Sequence, residues 1–255
     1  MEVAVVLRQV PDVVEELVIA EDGRTLSEDD VRYVTNELDE CALEQALILK
    51  GRRGARVTAF GVGGPEARDA LATSVAKGAD EAVFVPLGFQ DRSDSHRLAA
   101  HLLAPLEEGG YDLILTGVQA PDEVDGALGG IIASRLGAPY VGGLAAADVD
   151  AGGAKAVVRK EYPGGRVGVM ELALPAVLGI QSSEQPPRYV PVSKVMQAKK
   201  TLQVREVRAS VPDVWGARVT KLLKPEAGAG ARMLEGDEGQ VANSIAGLLK
   251  ERGLL

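Results

Sequence analysis

Short runs of apolar, β-branched residues recur along the first 180 residues, separated by stretches rich in Ala, Leu, Glu and Lys. The apolar runs predict strands that are covered on both faces, at residues 2–7, 56–62, 82–86, 112–116 and 176–180. The stretches between them predict helices, at about 37–50, 66–77, 93–107 and 126–136. Strand, helix and strand at this spacing are typical of right-handed βαβ units, so we predict an α/β fold with a parallel sheet between two layers of helices.

The pattern changes after the fourth predicted helix. Turn signals at Gly152-Gly153 and Pro163-Gly164-Gly165 separate alternating segments, which predicts antiparallel hairpins added to the sheet. Pro186-Pro187 then marks a break. We predict an α/β domain over 1–186 and a C-terminal arm over 187–255, whose few core elements favour packing on a partner subunit.

Composition and charge exclude several classes of protein. The net charge of −9 argues against nucleic acid or a membrane surface as the main partner, because both attract cationic proteins. A single cysteine forbids an internal disulfide and fits a reducing compartment. The start MEVAVVLRQV contains no leader pattern, so we expect a bacterial cytoplasmic location without membrane insertion.

The residues that usually carry catalysis are few. His96 and His101 are five positions apart on one predicted helix, a spacing that does not align them on one face, and Cys41 lies alone on another helix. We therefore predict neither a metal site nor a catalytic residue. No nucleophile elbow or phosphate loop of the Walker type occurs, and the stretch Gly61-Val62-Gly63-Gly64-Pro65-Glu66 fails the dinucleotide pattern at its last position.

A crevice at the carboxyl ends of the strands is the remaining candidate site. Three loops would line it: Leu7–Pro11, Gly61–Pro65 and Gly117–Gly126. Their small residues and the helix starts that follow suit a phosphate, whereas Asp122, Glu123 and Asp125 would repel it if they pointed inward. Turn and capping roles explain these loops equally well. In the same way, Asn36 and Asp39 resemble a capping box at the start of the helix at 37–50.

Several stretches together resemble the beta subunit of electron transfer flavoprotein. They are VVLRQVPD, the helix start NELDECALEQA, GGPEARDALATSVAKGADEAV, YDLILTGVQAPDEVDGALGGIIASRLGAP, LPAVLGI and PPRYVPVSKVMQAKK. They follow one another in the family's order over residues 1 to about 205. The departures are Tyr162–Arg166 in the segment before LPA, Val13 where a tyrosine often approaches the flavin, and Leu38 in place of an aromatic residue.

The resemblance implies a non-catalytic subunit of a heterodimeric electron carrier with a Rossmann-like, adenine-nucleotide-binding sheet. The alpha subunit would hold most of the FAD, and this chain would bind AMP and shield one side of the flavin. Electrons would come from acyl-CoA and other dehydrogenases and leave to a membrane quinone reductase. The implied cofactor-binding residues are Val6, Asn36, Glu37, Leu38, Asp39, Gly63, Gly117, Gln119, Ala120, Asp122, Val124, Asp125, Gly126, Ala127 and Leu128. The backbone amides of Gly126, Ala127 and Leu128 would meet the phosphate, and the acidic loop residues would serve as caps or turn outward.

The resemblance also implies a recognition loop that docks dehydrogenases. Val192 stands where the family has a leucine, and Val195, Met196, Lys199 and Lys200 would assist it. The alternative for this segment is an ordinary solvated cationic strand.

Two other functions fit the same crevice. In an electron-bifurcating relative, a second FAD would replace AMP and NADH would reduce it. A stand-alone adenine-nucleotide sensor would bind the nucleotide without a partner and without a redox role.

Overall fold

The computed structural model of the chain describes residues 1–88, 94–123, 125–209, 216–226, 228, 230–231 and 233–255. Its strands form one sheet: β1 (Glu2–Pro11), β2 (Tyr33–Thr35), β3 (Arg56–Gly63), β4 (Glu81–Pro86), β5 (Leu113–Gly117), β6 (Tyr140–Val149), β7 (Lys155–Tyr162), β8 (Arg166–Ala173), β9 (Ala176–Ile180) and β10 (Arg205–Glu206). The helices are α1 (Glu37–Arg53), α2 (Ala67–Lys77), α3 (Ser95–Gly109), α4 (Leu128–Leu136), α5 (Val192–Thr201) and α6 (Glu238–Glu251).

The strand order is β10-β4-β3-β1-β5-β9-β6-β7-β8, with β2 paired to β1. Every pair from β10 to β6 is parallel, whereas β6, β7 and β8 pair antiparallel. The prediction of a parallel sheet with added hairpins is therefore confirmed. After β1 the chain builds β3 and β4 on one side and then returns to build β5 on the other. The order thus reverses between β1 and β5, where open α/β sheets bind their ligands.

Apolar runs become buried strands because helices cover both faces of the sheet. On one face α1 and α2 pack on β1, β3 and β5 through residues such as Leu43, Leu47 and Leu71. On the other, α3 and α4 pack through residues such as Leu98 and Ile132. β1 illustrates the result, because its residues from Val3 to Pro11 are all buried. The first loop that the sequence predicted, Leu7–Pro11, is therefore strand, and β1 carries Arg8 into the interior.

The first part of the arm packs on this chain. The helix α5 contacts α2, and β10 extends the sheet beside β4. The side chain of Glu44 on α1, only 3% exposed, accepts hydrogen bonds from the backbone amide of Arg188 at 2.9 Å and from its guanidinium at 2.7–3.0 Å. Burial alone would raise the pKa of Glu44, but the hydrogen bonds and charge of Arg188 outweigh it, so the pKa is lowered.

Residues 223–255 form a second compact unit. Its helix α6 begins with a complete capping box, in which the Asp237 side chain accepts from the Gln240 amide and the Gln240 side chain accepts from the Asp237 amide. Among the described residues, none of the helices combines the length and the apolar character that a membrane span requires.

Candidate functional site

The side chain of Arg8 lies buried beside the carboxyl end of β5, where it reaches the carbonyl of Gly117. It is 4% exposed and lies against two buried carboxylates, Asp39 on α1 and Glu123 on the loop after β5. Its Nε donates to Asp39 Oδ2 at 2.9 Å and its Nη2 to Asp39 Oδ1 at 2.7 Å, while its Nη1 donates to Glu123 Oε1. A strand, a helix and a loop therefore meet at one buried ionic cluster, which we call the Arg8 cluster.

The Arg8 cluster also fixes the backbone of the loop that follows β5. The amide of Gly117 donates to Asp39 Oδ1 at 2.7 Å, and the carbonyl of Gly117 accepts from Arg8 Nη2 at 2.9 Å. The carbonyl of Gln119 accepts from Arg8 Nη2 at 3.3 Å and from Asn36 Nδ2 at 3.0 Å. The amide of Ala120 donates to Glu123 Oε2 at 3.1 Å. Both the N–H and the carbonyl of Gly117 are therefore hydrogen-bonded, and so are both polar groups of the Gln119–Ala120 peptide.

Gly117 is required by this packing. A Cβ at Gly117 would lie 2.5 Å from Asp39 Oδ1, 2.7 Å from the Leu38 carbonyl carbon and 2.8 Å from the Asp39 backbone nitrogen. The latter two are backbone atoms that cannot rotate away. The glycine thus allows the start of α1 to approach the end of β5.

Three expectations about this region are wrong. Asn36 makes no side-chain cap to α1, because its amide group instead reaches the Gln119 carbonyl. Asp39 does not complete a capping box, because its carboxylate is turned to Arg8 and Gly117. Glu123 neither caps nor points outward, since the guanidinium of Arg8 provides a buried partner that makes the inward orientation favourable.

Burial and charge oppose each other in the Arg8 cluster. Burial would lower the pKa of Arg8, but the adjacent carboxylates of Asp39 and Glu123 outweigh it, so the pKa is raised and the guanidinium stays charged. Burial raises the pKa of Glu123, and the Asp39 carboxylate adds to the rise, against the opposing effect of Arg8. Holding Glu123 ionised therefore costs free energy, which two donors to its carboxylate partly offset.

A cavity of about 500 Å³ lies along α4, from the loop before the helix to its last turn. Its lining includes Asp125, Gly126 and Ala127 from the loop, Tyr140 from β6, and the cationic or polar side chains His96, Ser134 and Arg135. Asp125 is exposed, and its Oδ1 accepts from Ser95 Oγ and, at 3.2 Å, from the Ala127 amide, whereas α4 itself has no side-chain cap. Gly126 has a φ of +59°, and a Cβ there would lie 3.2 Å from the Gln119 side chain.

The cavity has the donor set for a phosphate. The N-cap residue of α4 is Ala127, which has no side-chain acceptor of its own, and the first turn of α4 contains no acidic residue. Backbone amides and the positive end of the helix dipole favour an anion here. His96 of α3 and Arg135 in the last turn of α4 line the same cavity. The residues present therefore offer donors to the phosphate of a mononucleotide, although the Asp125 carboxylate lines the same cavity and already binds the Ala127 amide.

The other predicted cofactor residues lie in different surroundings. Gly63 lines a separate cavity of about 450 Å³ with Arg68, Phe84 and Arg208 at the ends of β3 and β4. Val6 is fully buried in the core beneath α3 and α4, and Leu128 is buried in the same core. Glu37 is exposed, Leu38 and Asp122 are partly exposed, and Val124 lies outside the described residues.

The predicted docking residues lie on a helix rather than a loop. Val192 begins α5 and is 71% exposed, and Met196, one turn further, is 50% exposed. Lys199 and Lys200 are exposed, and Lys199 pairs with Asp69 of α2 at 2.7 Å. Val195 is partly buried, and Ala198 is buried. The helix thus has one side packed on this chain and an apolar side in solvent.

Arg8 and Glu123 are the residues that sequence reasoning missed. A cation that directly follows five buried apolar residues was a usable signal, because a charge at the end of a buried strand needs partners. Glu123 offered no comparable signal, since its acidic neighbours all suited an exposed turn.

Comparison with known proteins shows which family the chain resembles. The family described as "Electron transfer flavoprotein domain" matches residues 24–212. The chain is 31% identical to "Electron transfer flavoprotein subunit beta" of Methylophilus methylotrophus over 98% of each chain. It is 34% identical to the protein of the same name in Clostridium acetobutylicum over 78% of this chain and 75% of that one. It is also 30% identical, over the whole of both chains, to "Caffeyl-CoA reductase-Etf complex subunit CarD" of Acetobacterium woodii.

Proposed function

The chain belongs to the electron transfer flavoprotein family, and from that premise we propose that it is the AMP-binding beta subunit of a heterodimeric electron carrier. The family transfers electrons with a flavin, and its beta subunits work with an alpha subunit and with dehydrogenases. The finer assignments are that the alpha subunit holds most of the FAD, that acyl-CoA dehydrogenases supply the electrons, and that a membrane quinone oxidoreductase receives them.

AMP would bind along the loop from Gly117 to Leu128. Its phosphate would meet the amides at the start of α4, with His96 and Arg135 as side-chain donors, in the cavity of about 500 Å³. Cavities that bind small molecules measure about 300–1,000 Å³, so the space suits a mononucleotide. The single observation that supports the proposal is this cavity, because residues of the loop after β5, the start of α4 and the side chain of Arg135 line it.

The flavin would be covered at the end of β1. Val13 and Val14, which follow that strand, are 65% and 91% exposed, although exposed valines cost free energy in water. When bound, FAD supplies the one-electron and two-electron chemistry. The part of this chain is to exclude water from one side and to hold the alpha subunit in place.

Gly126→Leu tests the AMP site. A leucine would be strained at a φ of +59° and would press on Gln119, so the loop would move from the start of α4. We expect the purified heterodimer to lose most of its AMP and to dissociate more readily while the alpha subunit keeps its FAD. The measurement is the number of AMP and FAD molecules per heterodimer, released by denaturation and separated by chromatography.

Gly110→Leu is the matched control. It has a similar φ of +58° at the C-terminal end of α3, where a Cβ would meet nothing within 4 Å, and it lies at the opposite end of that helix from His96, which lines the cavity. Both variants carry the same backbone strain, so only loss of AMP specific to Gly126→Leu supports the site. Equal AMP content in the two variants and the wild type would contradict it.

The same numbers of AMP and FAD molecules per heterodimer show whether AMP or a second FAD occupies the site. The electron-bifurcating function is the second candidate, and the relative in Acetobacterium woodii is named as a subunit of a caffeyl-CoA reductase-Etf complex. One FAD and one AMP per heterodimer support our proposal. Two FAD molecules and no AMP would replace it with the bifurcating function.

The exposed side of α5 is the proposed docking surface for dehydrogenases. Val192 and Met196 present apolar area beside Lys199 and Lys200, a combination typical of transient interfaces. We expect Val192→Ala and Met196→Ala each to slow reduction of the carrier by limiting dehydrogenase about three- to tenfold, since each removes about 1 kcal/mol of contact. The measurement is the rate of flavin reduction against dehydrogenase concentration.

Val167→Ala serves as the control for this prediction. Val167 is 55% exposed on β8, far along the sheet from α5 in strand order, so truncation removes a similar apolar surface elsewhere. FAD and AMP content should be unchanged in all three variants. Reduction at the wild-type rate by Val192→Ala and Met196→Ala would contradict the docking role.

A further inference from the structure

Two polar groups of one peptide bond are held by different parts of the chain. The Gln119 carbonyl is bound by Arg8 from β1 and Asn36 from the start of α1, and the Ala120 amide is bound by Glu123 from the same loop. Rotation of this peptide would break all three bonds together. Its orientation is therefore set by the side chains, and it in turn positions Gln119, whose side chain lies against Gly126.

We infer that Arg8 and Glu123 are positioning residues that hold the loop from Gly117 to Leu128 in its ligand-binding shape before the adenylate arrives. This inference rests on the proposed function and assigns a role to two residues that touch the loop rather than the nucleotide. A loop that is already ordered does not lose conformational freedom on binding, so the bound ligand is held more tightly.

The shape of each side chain fits this role. The guanidinium of Arg8 uses its planar fork to reach two carboxylates and two carbonyls at once. Lysine carries the same charge but has a single ammonium group, which cannot satisfy acceptors spread over Asp39, Gly117 and Gln119. Charge alone therefore does not replace Arg8.

Glu123 uses both of its oxygens, one toward Arg8 and one toward the Ala120 amide. In Glu123→Gln one oxygen would still accept from Arg8, but the new NH₂ group would face the Ala120 N–H, and two donors repel. The substitution is nearly isosteric and removes a buried ionised group whose pKa is raised by burial. Loss of that ionised group offsets part of the cost of the unpaired Ala120 N–H, so the protein should still fold while the loop loses its fixed peptide.

The test measures AMP release from the purified heterodimer. We expect Glu123→Gln and Arg8→Lys to increase the dissociation rate of labelled AMP about ten- to a hundredfold, because each leaves a buried backbone group of the loop without its partner. Glu107→Gln, an exposed carboxylate on α3, removes the same charge without touching the loop and should keep the wild-type rate. Thermal midpoints of all variants are measured in parallel.

A second readout does not depend on the nucleotide. Hydrogen exchange of the AMP-free heterodimer should show faster exchange of the Ala120 amide, which Glu123 holds, in Glu123→Gln than in Glu107→Gln. A wild-type protein that contains no AMP would overturn the proposed function. Hydrogen exchange would still show whether Arg8 and Glu123 hold the Gln119–Ala120 peptide in place. A wild-type AMP dissociation rate together with unchanged exchange would overturn the positioning role and leave the proposed function standing. A lowered thermal midpoint with an unchanged dissociation rate would likewise assign Arg8 and Glu123 to stability alone.

Discussion

Arg8→Met is expected to lower the free energy of unfolding by about 3–5 kcal/mol, the cost of breaking a buried ion pair by removing one partner. Methionine fills a similar volume, so the loss comes from charge rather than from a cavity. Asp39 and Glu123 would be left buried without a cation, and the carbonyls of Gly117 and Gln119 would lose Arg8 as a donor. The measurement is urea unfolding followed by circular dichroism, with the same ligands bound to both proteins.

The loss of unfolding free energy in Arg8→Met should become smaller as the pH falls. Without Arg8, the already raised pKa of Glu123 would rise further. The native state would then bind more protons than the unfolded state between the unfolded and folded pKa values, so the variant gains stability as pH falls through that window. The difference from wild type is therefore largest at neutral pH and shrinks on mild acidification.

Arg56→Met provides the comparison for Arg8→Met. Arg56 pairs with Glu81 at the surface, where both side chains are about half exposed. Water screens exposed pairs, so this variant should unfold at nearly the wild-type urea concentration at every pH. Equal losses of stability in Arg8→Met and Arg56→Met would show that burial does not determine how much the Arg8 cluster contributes to the stability of the fold.

Gly117→Ala is expected to destabilise the protein by about 3 kcal/mol, at the upper end of the cost of overpacking a core. The added methyl group would lie 2.7–2.8 Å from backbone atoms of Leu38 and Asp39, so either α1 or the end of β5 must shift. That shift would also lengthen the bonds from Asp39 to Gly117 and Arg8. Urea unfolding measures the loss, and AMP content of the heterodimer measures the effect on the loop.

Gly51→Ala is the matched control, because the same methyl group has nothing within 4 Å there. Gly51 lies exposed near the end of α1, where alanine is the better helix former. We expect a gain of about 0.5–1 kcal/mol. A loss of stability in Gly51→Ala, or no loss in Gly117→Ala, would contradict the claim that α1 and the end of β5 approach too closely at Gly117 for a side chain.

The fold was predictable because local pattern and burial agree along most of the chain. The five apolar runs are all strands, and the four predicted helices begin and end within a few residues of the observed bounds. The arm was less predictable. Its cationic residues suited a solvated strand, whereas the buried Glu44 and the face of α2 place α5 and β10 on this chain. Those contacts join residues more than a hundred positions apart, and no local pattern records them.

The sequence by itself determined the parallel sheet, the small residues at its carboxyl edge and the likeness to one family of flavoproteins. These depend on periodicity and on short motifs, which can be read along the chain. Only the tertiary structure decided that Arg8 turns inward, that Asp39 and Glu123 face it, and that Asn36 and Asp39 hold a distant loop rather than cap their own helix. The physical reason is that a carboxylate in an acidic loop is stable outside or inside, and the choice depends on whether the fold places a cation within reach.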